Sequence, residues 1–156
     1  MPAELPAFRF ELEWGLHTKL RLLDSFEFDT VLDIGAGSGE HARFLRLFGK
    51  KLFTVDLHRA ADYIGDLTEM DFGRTRDVVW CSHVLEHQRN AGKFLDKIYA
   101  CLPEGGIVAI TVPTHPRARM VSGHISSWKC PGRSRLSHGT RRFTLTERGA
   151  KTGNGG

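Results

Sequence analysis

The sequence predicts an α/β fold: a doubly wound, mostly parallel sheet that is incomplete at its C-terminal edge. Three observations carry this expectation. Residues 30–34 form a strand-like run that meets Gly35-Ala36-Gly37-Ser38-Gly39, after which residues 40–48 turn helical. Strand, glycine turn and helix make half of a nucleotide-binding βαβ unit. Further strand-like runs, at 51–56, 63–66, 77–82 and 107–113, alternate with helical or short connections, as parallel strands require.

Composition sets the class. The chain has 156 residues, 40% hydrophobic and 26% charged, which fits one ordinary globular domain. No apolar run reaches the ~18 residues of a membrane span, and Met1-Pro2-Ala3-Glu4 lacks the basic-then-apolar pattern of a signal peptide. Cys81, Cys101 and Cys130 are widely spaced, which argues against a disulfide framework. A cytoplasmic protein without membrane contact is expected. The net charge of +4 conceals an asymmetry: residues 1–116 hold 13 Lys+Arg against 17 Asp+Glu, whereas 117–156 hold 9 basic residues and only Glu147. Three regions are expected: an N-terminal helical cap, 1–28; the α/β domain, 29–128; and a basic, irregular tail, 129–156.

In chain order, Leu12, Leu16, Leu20 and Leu23 fall at helical spacing. Such a stripe packs a helix on the domain, or forms a lid over a site. The strand and glycine turn follow, then a helix with Gly49 as its stop. The strand at 51–56 ends in Asp56, where a carboxylate can accept hydrogen bonds from both hydroxyls of a ribose; a solvated loop acid is the alternative. The connection from Asp56 to Tyr63 is too short for a full helix. Asn90 caps a helix running to Cys101, with Phe94, Leu95, Ile98 and Leu102 inside. Pro103, Gly105 and Gly106 mark the turn before the fifth strand.

The turn itself selects its ligand. A dinucleotide fingerprint reads G-x-G-x-x-G and places a pyrophosphate on the helix N-terminus. Here the spacing is G-x-G-x-G, with Asp33 two residues before it. A carboxylate beside the turn repels a pyrophosphate and attracts an ammonium group. A phosphate loop would need Gly-Lys-Ser/Thr, and Gly39 is followed by Glu40. The turn thus suits a cationic nucleoside better than NAD or ATP. Asp33-x-Gly35-x-Gly37-x-Gly39 resembles the first motif of class I S-adenosylmethionine-dependent methyltransferases, and the motif resemblance covers about residues 30–113. It implies a Rossmann-like fold, S-adenosylmethionine as cofactor and a small-molecule methyl acceptor. It also implies roles. Asp33, Gly35, Ala36, Gly37 and Gly39 would hold the methionine end, Asp56 and Leu57 the ribose side, Asp66 and Leu67 the adenine. Ser82 and His83, at the end of the fourth strand, would form the pocket floor. Asp66 reads equally as a loop acid.

His83-x-x-Glu86-His87 also matches a zinc motif, H-x-x-E-H. That motif needs one helix face and a distant third ligand, whereas the pentad directly follows a strand; no metal is expected. If the acceptor must lose a proton, His83, His87 and His115 are the candidate bases. Past Trp128 the family resemblance stops. A complete fold of this family continues with a helix and two more strands, the last antiparallel. Either the native reading frame was lost near residue 129, or the tail is a basic arm for nucleic acid. Against the arm, residues 129–156 offer only Phe143 as an aromatic to stack on a base. Two rival functions stay open: a cofactor-binding or truncated methyltransferase-like protein without turnover, and an NAD-dependent oxidoreductase.

Overall fold

The computed structural model describes residues 16–58, 60–112, 135–138 and 141–147. Helix α1 (Leu16–Ser25) leads into β1 (Thr30–Ile34), α2 (Glu40–Leu47), β2 (Lys51–Asp56) and the short β3 (Tyr63–Ile64). Then come β4 (Val78–Ser82), α3 (Ala91–Ala100), β5 (Ile107–Val112), β6 (Arg135–His138) and β7 (Arg141–Glu147), with single 3-10 turns at Leu67–Glu69 and Leu85–His87. The strands form one sheet in the order β3-β2-β1-β4-β5-β7-β6. All pairs are parallel except β6 with β7. The order reverses between β1 and β4, so the crevice at the carboxyl ends of these strands is the ligand position of an open α/β sheet.

The strands are apolar on both faces because both are covered. Leu32, Ile34, Val79, Cys81, Val108 and Ile110 pack with Phe94 and Ile98 of α3. On the opposite face Val31, Val78, Trp80 and Ala109 pack with Leu22 of α1 and with Ala42 and Leu45 of α2. Asn90 caps α3 as expected, its Oδ1 accepting from the Lys93 N–H at 2.9 Å. Gly49 follows α2 at φ +75°, a conformation glycine adopts without a Cβ penalty. The crossover between β2 and β3 has no helix among its described residues. In its place lies a groove of about 380 Å³, lined in part by Arg43, Arg46, Thr54 and Asp62. No helix among the described residues is long and apolar enough to cross a membrane.

Two expectations change. Leu20, placed on the inner stripe of the first helix, is 47% exposed, and the buried face carries Thr18, Lys19 and Leu22 instead. The described helix starts at Leu16, so Leu12 lies outside the described residues. Within the stretch 129–156, expected to be irregular, residues 135–138 and 141–147 are strands; the helix that a complete fold would carry before them falls outside the described residues. β7 runs parallel beside β5, with Phe143 opposite Val108, and β6 returns antiparallel to it. Phe143, Thr144 and Thr146 are good strand formers whose signal the surrounding arginines obscured.

Candidate functional site

The glycine turn sits at the carboxyl end of β1, with Gly35, Gly37 and Gly39 at φ +71°, +54° and +79°. The N–H groups of Gly35 and Ala36 both donate to the Val55 carbonyl, at 2.8 and 3.1 Å. One residue further on, Asp56 closes the loop onto the turn. Its Oδ2 accepts from the Gly37 N–H at 3.0 Å, and its Oδ1 from the His58 N–H at 3.0 Å. Both carboxylate oxygens of Asp56 are thus engaged with backbone N–H groups of the turn and of the segment after β2. A Cβ on Gly35 would lie 2.2 Å from Cγ2 of Val84, whereas Cβ atoms on Gly37 and Gly39 would meet nothing within 4 Å. Gly35 therefore exists to let the segment after β4 press on the turn. Gly37 and Gly39 leave the upper side of the turn open.

Beneath the turn lies a cluster of ionisable groups. Asp33 is paired in register with Trp80 of β4, so its side chain shares the α1–α2 face of the sheet by strand alternation. It is 1% exposed, and its Oδ2 has no hydrogen-bond partner among the described residues. Burial pushes its carboxyl up to about 7, opposed by the charges of Lys19 and Arg46 and reinforced by Asp56. Lys19 reaches in from α1 with 0% exposure, its Nζ against Nδ1 of His41. It lies 5.2 Å from the Phe44 ring centre and 5.6 Å from that of Trp80. Burial lowers its ammonium to about 8, while Asp33 and Glu40 hold it up. Glu40 is buried in the first turn of α2. A negative charge there disfavours any phosphate at this helix N-terminus.

The remaining expected residues divide. Ser82 Oγ bonds Thr111 Oγ1 at 2.7 Å and the Nδ1 of His83 at 3.2 Å. His83 adopts φ +55° and donates its N–H to the Thr111 carbonyl at 2.9 Å, so the end of β4 is tied to β5 at the crevice. Leu57 is 55% exposed beside Asp56, whereas Leu67 is buried in the α3-side core. Asp66 caps its 3-10 turn, accepting from Thr68 N and Oγ1 at 2.8 Å each. These bonds hold its carboxyl below the usual range. His87 is exposed at the end of the second 3-10 turn, and His115 lies outside the described residues. His83 and His87 do not share an α-helical face, and among the described residues no three His, Cys, Asp or Glu side chains converge as a metal site. Sequence reading missed Lys19, Glu40 and His41. The adjacency of Glu40 and His41 to the third glycine was the available signal for the last two.

The cluster predicts an acid limb. Burial, Lys19 and His83 drive the His41 imidazole down to about 3, from an ordinary 6.5. A base depressed on folding stabilises above its unfolded value, and that contribution is lost as pH falls toward 3. His41→Gln should therefore flatten the stability curve between pH 6.5 and 3, by on the order of 2–4 kcal/mol relative to the parent. Urea denaturation across that range measures it, and parallel curves would refute it.

A family model described as a methyltransferase domain matches residues 10–153, extending past Trp128, where the family resemblance read from the sequence stops. No curated protein matches the chain. Among solved structures, an S-adenosylmethionine-dependent methyltransferase from Clostridium acetobutylicum is 16% identical, with TM-score 0.58, covering 68% of this chain and 52% of that one. A SAM-dependent methyltransferase from Archaeoglobus fulgidus is 21% identical, with TM-score 0.60, covering 79% and 68%. The 1,6-didemethyltoxoflavin-N1-methyltransferase of Burkholderia thailandensis, solved with 1,6-didemethyltoxoflavin and S-adenosylhomocysteine, is 23% identical with TM-score 0.55, covering 67% and 54%. The chain thus spans about half the length of two of these three.

Proposed function

The chain belongs to the methyltransferase-domain family, and on that footing we propose that it binds S-adenosylmethionine and transfers its methyl group to a small-molecule acceptor. The observation that carries this reading is the oxygen of Asp33 without a hydrogen-bond partner among the described residues, buried below a glycine turn where Cβ atoms on Gly37 and Gly39 would meet nothing within 4 Å. A partnerless buried carboxylate oxygen is costly. It is accounted for if an ammonium group, such as that of the cofactor's methionine end, completes it. Asp56 is then the ribose residue. It already fixes the turn through Gly37, and a carboxylate at the end of the second strand of a βαβ unit can accept hydrogen bonds from ribose hydroxyls. Leu57, exposed next to it, offers an apolar cover for the base. Asp66 and Leu67 have structural work of their own, as a turn cap and a core residue. They would meet the adenine only at its edge.

When bound, the cofactor supplies an electrophilic methyl carbon on a sulfonium. The chain's part is to position it and an acceptor for in-line displacement. Of the two candidate histidines among the described residues, His83 stands at the end of β4, its Nδ1 engaged by Ser82. It is the base of this reading where the acceptor carries a proton. A small-molecule acceptor is supported by the fold neighbours that act on such compounds, among them the toxoflavin enzyme and a sugar N-methyltransferase from Streptoalloteichus.

Calorimetric titration with S-adenosylhomocysteine tests the cofactor. Micromolar binding is expected, and Asp56→Ala should weaken it at least about tenfold, or 1.4 kcal/mol. Absence of binding by a folded chain would remove the assignment. Binding of NADH in its place would revive the oxidoreductase reading.

A further inference from the structure

We propose that Asp62 is a positioning residue of the site: with Thr54 it forms a clasp that anchors the connector after β2, and so holds the Asp56 carboxylate against the glycine turn. That Asp56 meets a ribose rests on the methyl-transfer reading; its anchoring by the clasp does not.

Strand β2 runs between β1 and the short edge strand β3, and its backbone groups alternate between the two sides. The Val55 carbonyl faces β1, where it accepts from Gly35 and Ala36. Thr54 and Asp56 face β3, where the Asp56 carbonyl accepts from the Gly65 N–H at 2.9 Å. Strand β3 pairs only with Val55 and Asp56, so it begins one rung past Thr54. Thr54 is buried, and a buried N–H is costly to leave unpaired. Asp62 supplies the missing acceptor from its side chain. Its Oδ2 accepts from the Thr54 N–H at 2.8 Å and from Thr54 Oγ1 at 2.9 Å. In return the Asp62 N–H donates to Thr54 Oγ1 at 3.0 Å.

The register between β1 and β2 ends at Val55, so the backbone of Asp56 is held from the β3 side. Strand β3 has little else to fix it. Ile64 is 63% exposed. Tyr63 meets Phe72 edge-on at 4.9 Å between ring centres, a contact that anchors a side chain without setting a register. The connector carries no helix among its described residues. The clasp therefore sets the register of β3, and β3 sets Asp56. From Asp56 the bonds run on to the site, Oδ2 accepting from Gly37 and Oδ1 from His58. The same reciprocal pair recurs at the amino end of β1. There Asp77 Oδ2 accepts from the Thr30 N–H and Oγ1, each at 2.8 Å, and the Asp77 N–H donates to Thr30 Oγ1 at 3.0 Å. It lies at the end of the strands away from the crevice and serves as a matched control.

The test compares the full-length chain with Thr54→Val, Asp62→Ala, Asp62→Asn and Thr30→Val. Valine removes the hydroxyl in a strand-favouring shape, and asparagine keeps an acceptor oxygen for Thr54. Amide exchange followed by NMR reports the bond from Gly37 to Asp56 in the ligand-free protein. It should quicken about tenfold in Thr54→Val and Asp62→Ala and hold in the other two. Calorimetry compares S-adenosylhomocysteine with its analogue lacking both ribose hydroxyls. The preference for the hydroxylated ligand should fall about tenfold in Thr54→Val and Asp62→Ala, and persist in Asp62→Asn and Thr30→Val. Unchanged Gly37 exchange, or an unchanged preference, in whichever of Thr54→Val and Asp62→Ala folds overturns the proposal, as do equal changes in Thr30→Val. Faster Gly37 exchange in a protein whose parent never binds S-adenosylhomocysteine would uphold the clasp and overturn the methyl-transfer reading instead.

Discussion

Gly35→Ala is expected to abolish cofactor binding and to destabilise the chain by about 2–4 kcal/mol, combining a left-handed backbone penalty with overpacking. The new Cβ would fall 2.2 Å from Cγ2 of Val84, well inside contact distance. The Cβ and other methyl of Val84 stand at ordinary contact distance, 3.6 and 3.8 Å, but a β-branched side chain has few rotamers with which to move Cγ2 away. The strain must pass to the backbone on one side or the other. On one side it displaces the turn that bonds to Val55 and Asp56; on the other it displaces the segment after His83. Both line the crevice. Gly37→Ala provides the contrast. Its Cβ meets nothing within 4 Å at φ +54°, so only the backbone penalty of about 1 kcal/mol remains. The double change Gly35→Ala with Val84→Ala should recover stability to near the Gly37→Ala level. Thermal unfolding ranks the three, and equal losses for Gly35→Ala and Gly37→Ala would show that the contact with Val84 is not what demands glycine.

Reading the sequence succeeded where structure is local: β1, α2, β2 and α3 appear where their patterns place them, and the glycine turn follows β1 with its three glycines at positive φ. Asp66 could have been read further, since an acid two residues before Thr68 is the pattern of a self-capping turn, and Thr68 indeed donates to it twice. Lys19 was not legible. Its helix has an apolar period that favours Leu20, and a lysine in such a helix is normally solvated. Only the tertiary approach of Asp33 and Glu40, 14 and 21 positions away in the sequence, reverses that preference. The strands of the tail were hidden for a related reason. Its basic residues and lack of apolar period suggested an irregular stretch, whereas β7 pairs with β5 through a run, Phe143 to Thr146, that the preceding Arg141 and Arg142 obscure.

Asp33→Asn should separate stability from binding in one substitution. In the folded chain burial raises this carboxyl from an ordinary 3.8 to about 7. An acid raised on folding contributes stability that is fully present below its unfolded value and is lost as pH climbs through the folded one. The parent protein should therefore weaken between pH 4 and pH 7 by on the order of 2–4 kcal/mol more than Asp33→Asn, which has no proton to lose there. The asparagine leaves Lys19 with Glu40 as its remaining acid partner in the cluster. Its ammonium then gives up its proton more readily, which adds stability toward alkaline pH and widens the same difference. Binding moves the other way. An amide cannot stand opposite an ammonium group as a counter-ion, and loss of a buried charge-assisted hydrogen bond costs on the order of 2–4 kcal/mol, about 30- to 1,000-fold in affinity. A variant more stable than its parent at pH 8 yet unable to hold S-adenosylhomocysteine is thus the expected result. Unfolding midpoints from pH 4 to 8, read beside calorimetry at pH 7.5, decide it. Parallel stability curves would mean that Asp33 is charged without penalty, and unchanged affinity would mean that its open oxygen faces something other than the ligand's ammonium. Loss of affinity together with gain of stability would be the cost expected of a preorganised binding group.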